Sequence, residues 1–338
     1  MKEIIVGKNE AGQRVDKLLF KYLNSAPKSF VYKMLRKKNI VLNDKKSEGN
    51  EILKLNDNIK IYLSDETYDK FSGNACEVKV NKSLEPIADV IFENEDILFF
   101  NKPAGVLSQK AEKDDYSLNE YLIEYMLNNG SISENELKSF KPSICNRLDR
   151  NTSGLVCCGK TLKGTQFLTR CIRERDVHKF YITIVKGIIK KSLTIDGYLI
   201  KDSKTNKVSI TKDKRDNADR IITKIIPVTD NGRYSVVRIE LVTGKTHQIR
   251  AHLSSIGNPI IGDVKYGDKE VNQYVRKTYK LNNQLLHAYE MIFEEAKCDK
   301  ELLKGINNYT VKAELPKLFL NILKGEGFKD FLKKQRVD

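Results

Sequence analysis

The stretch NRLDRNTSGLVCCGKT, residues 146–161, carries two kinds of chemistry at once. From Gly154 to Thr161, GLVCCGKT fits the pattern G-x-x-x-x-G-K-[ST], in which backbone amides and a lysine cradle the phosphates of a nucleotide. Just before it, RLDRNTSG centres one carboxylate, Asp149, between Arg147 and Arg150. A neighbouring cation favours the ionised carboxylate, the form that a nucleophile or base requires.

The two readings demand different local structure. A phosphate loop needs a buried strand that delivers its first glycine, then a flexible loop, then a helix start. Here the residues before Gly154 are polar, and the supposed loop interior, Leu155 to Cys158, is an apolar run suited to a buried strand. Only the helix that follows fits, with Phe167, Leu168, Cys171 and Ile172 at helical spacing. A second Gly-Lys-Thr, Gly244 to Thr246, has Ile239 where the first glycine belongs. The carboxylate reading is the better supported, because Asn151, Thr152 and Ser153 can bond local amides and hold a turn around Asp149.

Length and charge bound what surrounds that turn. A chain of 338 residues exceeds one typical domain. Net charge is +15, from 60 basic and 45 acidic side chains, and favours a polyanionic partner, RNA or DNA before a membrane surface. No apolar run approaches the ~18–20 residues that cross a bilayer, and the N-terminus lacks the long apolar stretch of a signal peptide, so the expected compartment is the cytoplasm. The six cysteines include no C-x-x-C pair, and His247 and His252 are not at the i,i+4 spacing of a helical zinc pair, so neither disulfides nor a metal is expected.

The elements that position the chemistry follow from periodicity. Residues 13–23 and the segment after SAP, residues 25–27, predict two short helices with basic outer faces, followed by strands at NIVLNDKK and DNIKIYL. Residues 1–64 hold 14 basic against 7 acidic side chains. Residues 65–85 lack an apolar period and read as a linker. Beyond them, strands are predicted in ADVIFENEDILFF, KFYITIVKGII, LTIDGYLI, KVSIT, RIITKIIPVTD and RYSVVRIELVTG, and helices at 117–128 and 162–174. This is an α+β core, residues 86–338, with a mixed, largely antiparallel sheet. Residues 201–220 read as an exposed basic excursion from it.

Five separated segments then share one resemblance. RLDRNTSG, FFNKPAGVLSQ, KFYITIVKG, VTGKTHQIRAHLSSIGNPIIGDVKYG and LLHAYEMIF resemble the motifs of the RluA/RluC-type pseudouridine synthases, over about residues 86–294. The chain departs from the usual pattern at Asn146, where a histidine is frequent. The basic N-terminal part resembles the small RNA-binding module first recognised in a small-subunit ribosomal protein, which commonly precedes this core in the large-subunit ribosomal RNA branch.

The resemblance implies an isomerase that converts uridines of large-subunit ribosomal RNA to pseudouridine after flipping the base out, with no cofactor, no metal and no membrane. It implies that Asp149 acts on the ribosyl carbon or the uracil ring, that Tyr181 stacks on the base and is a candidate to collect a proton, and that Arg250 pairs with Asp149. Lys102 and Pro103 are expected to shape the cleft wall. RNA contacts are expected from Arg14, Lys17, Lys33, Arg36, Lys37 and Arg147, in a protein read as a monomer. Two other classes stay open at this level: a non-catalytic RNA-binding protein on the same fold, and a phosphate-loop nucleotide hydrolase that uses Lys160.

Overall fold

The computed structural model describes residues 1–73, 85–134, 136–201, 208–211, 213–214, 218–329 and 331. Two sheets organise them. The first is small: β1 (Lys2–Ile5), β2 (Ile40–Leu42), β3 (Lys45–Lys46) and β4 (Asn58–Ile61) pair in the order β1-β4-β2-β3. Helices α1 (Val15–Tyr22) and α2 (Lys28–Arg36) cover it, burying Val15, Leu18, Leu19, Val31, Met34 and Leu35 against Ile40, Ile59 and Ile61. The apolar positions of both helices fall at three- and four-residue spacing, so one face goes inward and the lysines stay outside.

The linker reading of residues 65–85 needs correcting at its start. Residues Asp65–Ser72 form a helix, α3, capped by the Ser64 side chain, which accepts from Thr67 N. Tyr68 and Phe71, three residues apart, pack on the small core, and the Phe71 ring lies 4.4 Å from that of Phe30. Two aromatic anchors and an N-cap outweigh an otherwise polar composition. The rest of the expected linker, residues 74–84, lies outside the described residues.

The second sheet begins with β5 (Asp89–Glu93) and β6 (Ile97–Lys102), continues past α4 (Leu118–Asn128) to β7 (Ser143–Ile144) and β8 (Ser153–Gly159), and then, after α5 (Leu162–Glu174), to β9 (Val177–Lys186). It is extended by β10 (Leu193–Lys201), β11 (Val208–Thr211), β12 (Asp219–Asp230) and β13 (Tyr234–Leu241). After α6 (Gln248–Ser255) and α7 (Lys269–Tyr279) come β14 (Leu286–Phe293), β15 (Thr310–Lys312) and α8 (Lys317–Gly325). The order is β11-β10-β12-β13-β9-β14-β8-β6-β5, with β15 on β14 and β7 on β8. Among the named strands of the described residues, only the β14–β8 pairing is parallel. The predicted helices and strands of the core are present, and β11 lies inside the segment read as an excursion, paired to β10.

Strand β8 settles the local question raised by GLVCCGKT. All seven of its residues are buried. Leu155 and Cys157 face a cluster with Ile97, Phe99 and the α5 residues Phe167, Leu168 and Cys171; Val156 and Cys158 face another with Leu98, Phe100 and α4. A strand covered on both faces is continuously apolar. Lys160, the would-be phosphate lysine, is 7% exposed and donates to Glu93 Oε1 and to Asn94 O, at 2.5 and 2.8 Å. It is a structural cation that fastens the end of β8 to the β5–β6 turn.

Candidate active site

Asp149 sits in the loop between β7 and β8, and three separate devices fix that loop. Ser108 Oγ donates to Leu148 O at 2.8 Å and accepts from Leu148 N at 3.0 Å. The carbonyl of Arg150 accepts from Lys102 Nζ at 3.0 Å and from Gly105 N at 2.9 Å. Within the loop, Thr152 N donates to Asp149 O at 3.0 Å. The segment NKPAGVLS thus clamps the aspartate loop from one side, with Lys102 fully buried and its amine also bonded to Pro103 O and Val106 O. Burial pushes the Lys102 ammonium down to about 7, against the charge of Asp149, which acts the other way.

The other side is built by the sheet. Tyr181 of β9 pairs with Ala288 of β14, and Ala288 pairs with Gly154 of β8. The turn that carries Asp149 therefore enters the sheet two strands from Tyr181. This close crossing requires glycine: Gly154 has φ +112°, and a Cβ there would lie 2.1 Å from Ala288 O. Next to it, Ser153 Oγ and His287 Nδ1 are 2.9 Å apart, while His287 Nε2 and Ala313 O are 3.2 Å apart, which assigns the ring proton to Nε2. Asn146, the position that departs from the usual histidine, brackets β8 by donating to Leu155 O and accepting from Cys157 N.

Arg250 comes from the first turn of α6. The chain enters that helix through His247 in the left-handed conformation, φ +56°. Gln248 anchors the turn: its amide donates to Ile222 O and Thr223 Oγ1, and its carbonyl accepts from Thr243 Oγ1 and Lys245 N. Arg250 Nη1 then donates to Asp149 Oδ2 at 2.9 Å, while Nε and Nη2 donate to Asp263 at 2.7 and 2.9 Å. Burial alone would depress the Arg250 pKa, but the bonds and charges of Asp263 and Asp149 outweigh it and raise it. Asp263 is fully buried and also accepts from the backbone amides of Lys265 and Tyr266. Burial would raise its pKa, and the Arg250 guanidinium with those amides holds it below the ordinary carboxylate value.

Ser108, Asp149, Tyr181, Gln248 and Arg250 line one cleft of about 790 Å³. Leu286, Arg147 and Lys179 line it with them. Asp149 is the single carboxylate among the lining residues and its side chain is one quarter exposed. The Tyr181 phenol is pushed well up, first by burial and then by the charge of Asp149, which keeps it protonated at neutral pH. His247 reaches the same place, with Nε2 3.8 Å from Asp149 Oδ2 and Nδ1 3.0 Å from the Tyr266 hydroxyl. Its ring is half-buried, and burial lowers its pKa. A carboxylate that is held in place, reachable from solvent and next to an aromatic ring can attack or deprotonate a planar ligand lying on that ring.

Of the residues expected from sequence, Asp149, Tyr181, Arg250 and Arg147 share this cleft. Lys17, Lys33, Arg36 and Lys37 are exposed on α1 and in and just after α2, in the small sheet's layer. Arg14 differs: its guanidinium is bonded to Asp16 at 3.1 and 2.7 Å, and Asp16 also accepts from the Tyr32 hydroxyl. The pairing orients that guanidinium at the start of α1, where the side chain stays 46% exposed. Sequence reasoning missed Asp263, Ser108 and Gly154. Asp263 was legible only as the Gly-Asp inside GDVKYG, without a signal for its partner.

Comparison with known proteins gives the family and the fold. Residues 96–255 match the family described as RNA pseudouridylate synthase. An uncharacterized RNA pseudouridine synthase of Mycoplasma pneumoniae is 30% identical over 333 residues, covering 96% of this chain and 98% of that protein. Ribosomal large subunit pseudouridine synthase D of Borreliella burgdorferi is 30% identical over 281 residues, 82% of each chain. The fold is shared with the solved structure of human RNA pseudouridylate synthase domain containing 4, at a TM-score of 0.55 and 20% identity over 70% of this chain and 91% of that one. With the Mycoplasma pneumoniae relative 30% identical and aligned nearly end to end, the chain belongs to the RNA pseudouridine synthase family, isomerases that act on RNA.

Proposed function

We propose that the protein isomerises uridine to pseudouridine in large-subunit ribosomal RNA, the substrate named in the Borreliella burgdorferi relative, and that Asp149 is its catalytic carboxylate. The observation that carries this reading is the placement of Asp149, held by Arg250 at 2.9 Å, in a cationic cleft lined by Tyr181. A uridine stacked and paired in a helix cannot lie on Tyr181 beside that carboxylate. Extrusion of the base costs a few kcal/mol, and stacking on Tyr181 offsets part of it. The reaction then breaks N1–C1′, turns the base and forms C5–C1′; the proton lost from C5 is balanced by one gained at N1. Asp149 serves as the nucleophile at the sugar or ring, or as the base.

The small basic N-terminal unit is read as an RNA-binding module that holds duplex or loop phosphates independently of base sequence. It precedes the catalytic core, residues 86–338, and the protein acts as a cytoplasmic monomer. The test is mapping of pseudouridine in ribosomal RNA treated with the wild-type protein and with Asp149→Asn. That variant keeps the size of the side chain but loses its charge and nucleophilicity. We expect conversion by the wild type and none by the variant, with unchanged melting temperature. An active Asp149→Asn protein would overturn the assignment.

A further inference from the structure

Lys179 lies two residues before Tyr181 on β9, so both side chains leave the same face of the strand and both line the cleft. Its side chain is half-buried. Its ammonium has no hydrogen-bond or ion-pair partner among the described residues. It lies beside Gly244, where an added Cβ would be 3.8 Å from Nζ. The nearby titratable groups are Arg175, of like charge, and the Cys157 thiol, which bonding from Cys145 and burial keep protonated. A half-buried cation without an anion is destabilising by itself. Every other charged side chain on the cleft wall is cationic except Asp149, and Arg250 already occupies that one. The missing partner is therefore an anion brought by the ligand.

We propose that Lys179, with Arg175 beside it, binds the phosphodiester that flanks the target uridine while its base lies on Tyr181. This rests on the functional reading above. Two residues along a strand span roughly 6.6 Å, the scale on which a nucleotide separates its base from its backbone phosphate. Lys179 thereby fixes which nucleotide of a strand comes to rest over Asp149. It is a positioning residue for the substrate and leaves the chemistry to the carboxylate.

The probe is a ribosomal RNA fragment containing a uridine that the wild-type protein converts, made with the natural phosphate or with a neutral methylphosphonate next to that uridine. Binding is measured on an Asp149→Asn background so that the RNA is not turned over. We expect Lys179→Met to weaken the natural fragment about tenfold, the effect of one charge-assisted contact, and to lower the salt slope by about 0.7. The methylphosphonate should weaken the parent equally and add nothing to Lys179→Met, while Lys179→Arg restores affinity for the natural fragment. The melting temperature of Lys179→Met should be unchanged or higher, since an unpaired charge is removed. Additive losses, or no loss from either change, would overturn the inference. Should the variant not fold, the methylphosphonate on the parent decides alone. A wild-type protein that converts no ribosomal uridine sinks the functional reading as well, whereas conversion with Lys179 indifferent to the phosphate sinks this inference only.

Discussion

Asp263 holds the guanidinium of Arg250 by two parallel hydrogen bonds, Nε to Oδ2 at 2.7 Å and Nη2 to Oδ1 at 2.9 Å, which leaves Nη1 to face Asp149. A fork held in this way has one orientation. Asp263→Asn replaces one acceptor by an NH₂ group facing the cation, so Arg250 loses its fixed direction. We expect kcat to fall about 10- to 100-fold, as for the loss of a partner that orients a reacting group, with KM within a factor of about two. Melting should also show a loss of roughly 3 kcal/mol, because a buried cation has lost its charge partner. A drop in KM alone, or unchanged kcat in a folded protein, would speak against this role.

Gly154 is the second structural prediction. With φ +112° and Ala288 O 2.1 Å from a Cβ, Gly154→Ala forces β8 and β14 apart where they carry the aspartate loop and the neighbour of Tyr181. The expected result is an insoluble protein, or one with a melting temperature lowered by more than 10 °C. Gly130→Ala serves as control: it also has positive φ, +74°, but nothing lies within 4 Å of its Cβ. That control should cost only about 1 kcal/mol. Equal losses at the two positions would show that backbone strain, and not the strand crossing, sets the need for glycine.

What could be read from the sequence divides along physical lines. The buried strand β8 and helices α4 and α5 were legible because apolar runs and spacings report burial directly. The residues gathered in the cleft were legible by resemblance, since a turn carrying Asp149 and a strand carrying Tyr181 give no local sign that they meet. Helix α3 was hidden because two aromatics in a polar segment make a weak pattern, and its partner Phe30 is far away in sequence. Helices α7 and α8 lie beyond the segments read; Val271, Val275, Phe319 and Ile322 show helical spacing only once their shared cluster is known. Lys160 carries only the misleading phosphate-loop pattern and Asp263 no signal for its partner, and only three-dimensional pairing shows that each is buried beside an opposite charge.

The basic unit predicts a salt effect. Removing residues 1–73, which include α3 because it packs on that core, should weaken RNA binding and flatten its dependence on salt, as Lys17, Lys33, Arg36 and Lys37 no longer displace counterions. Titration of binding between low and moderate salt is the measurement. An unchanged slope would make that face a merely solvated surface.

Two buried histidines predict the acid limit of stability. Burial holds His252 and His287 down to about 4 each. Their unfolded value is near 6.5, so between those values the unfolded chain binds more protons than the folded one, and stability rises with pH. Their contribution is complete above about pH 6.5 and is lost progressively as pH falls toward about 4, at roughly 3 kcal/mol for each. Denaturant midpoints measured from pH 7 to pH 4 should fall accordingly. His287→Gln cannot be protonated and should show a shallower slope even if it is less stable at pH 7. An identical slope would remove His287 from the account.

Tyr181 makes the sharpest test of how the proton leaves. Burial and the Asp149 charge keep its phenol protonated, so the hydroxyl cannot wait as a phenolate base in the resting protein. If it collects the C5 proton, it must hand on its own at the same moment, and the carboxylate whose charge it senses is Asp149. Tyr181→Phe keeps the ring for stacking and removes the hydroxyl. RNA binding should therefore stay within about twofold while turnover falls by 10²-fold or more, the size of a general acid–base contribution. Release of tritium from C5-labelled uridine should slow in step with turnover. Normal turnover by the phenylalanine variant would confine Tyr181 to stacking and leave the proton to Asp149 or to water.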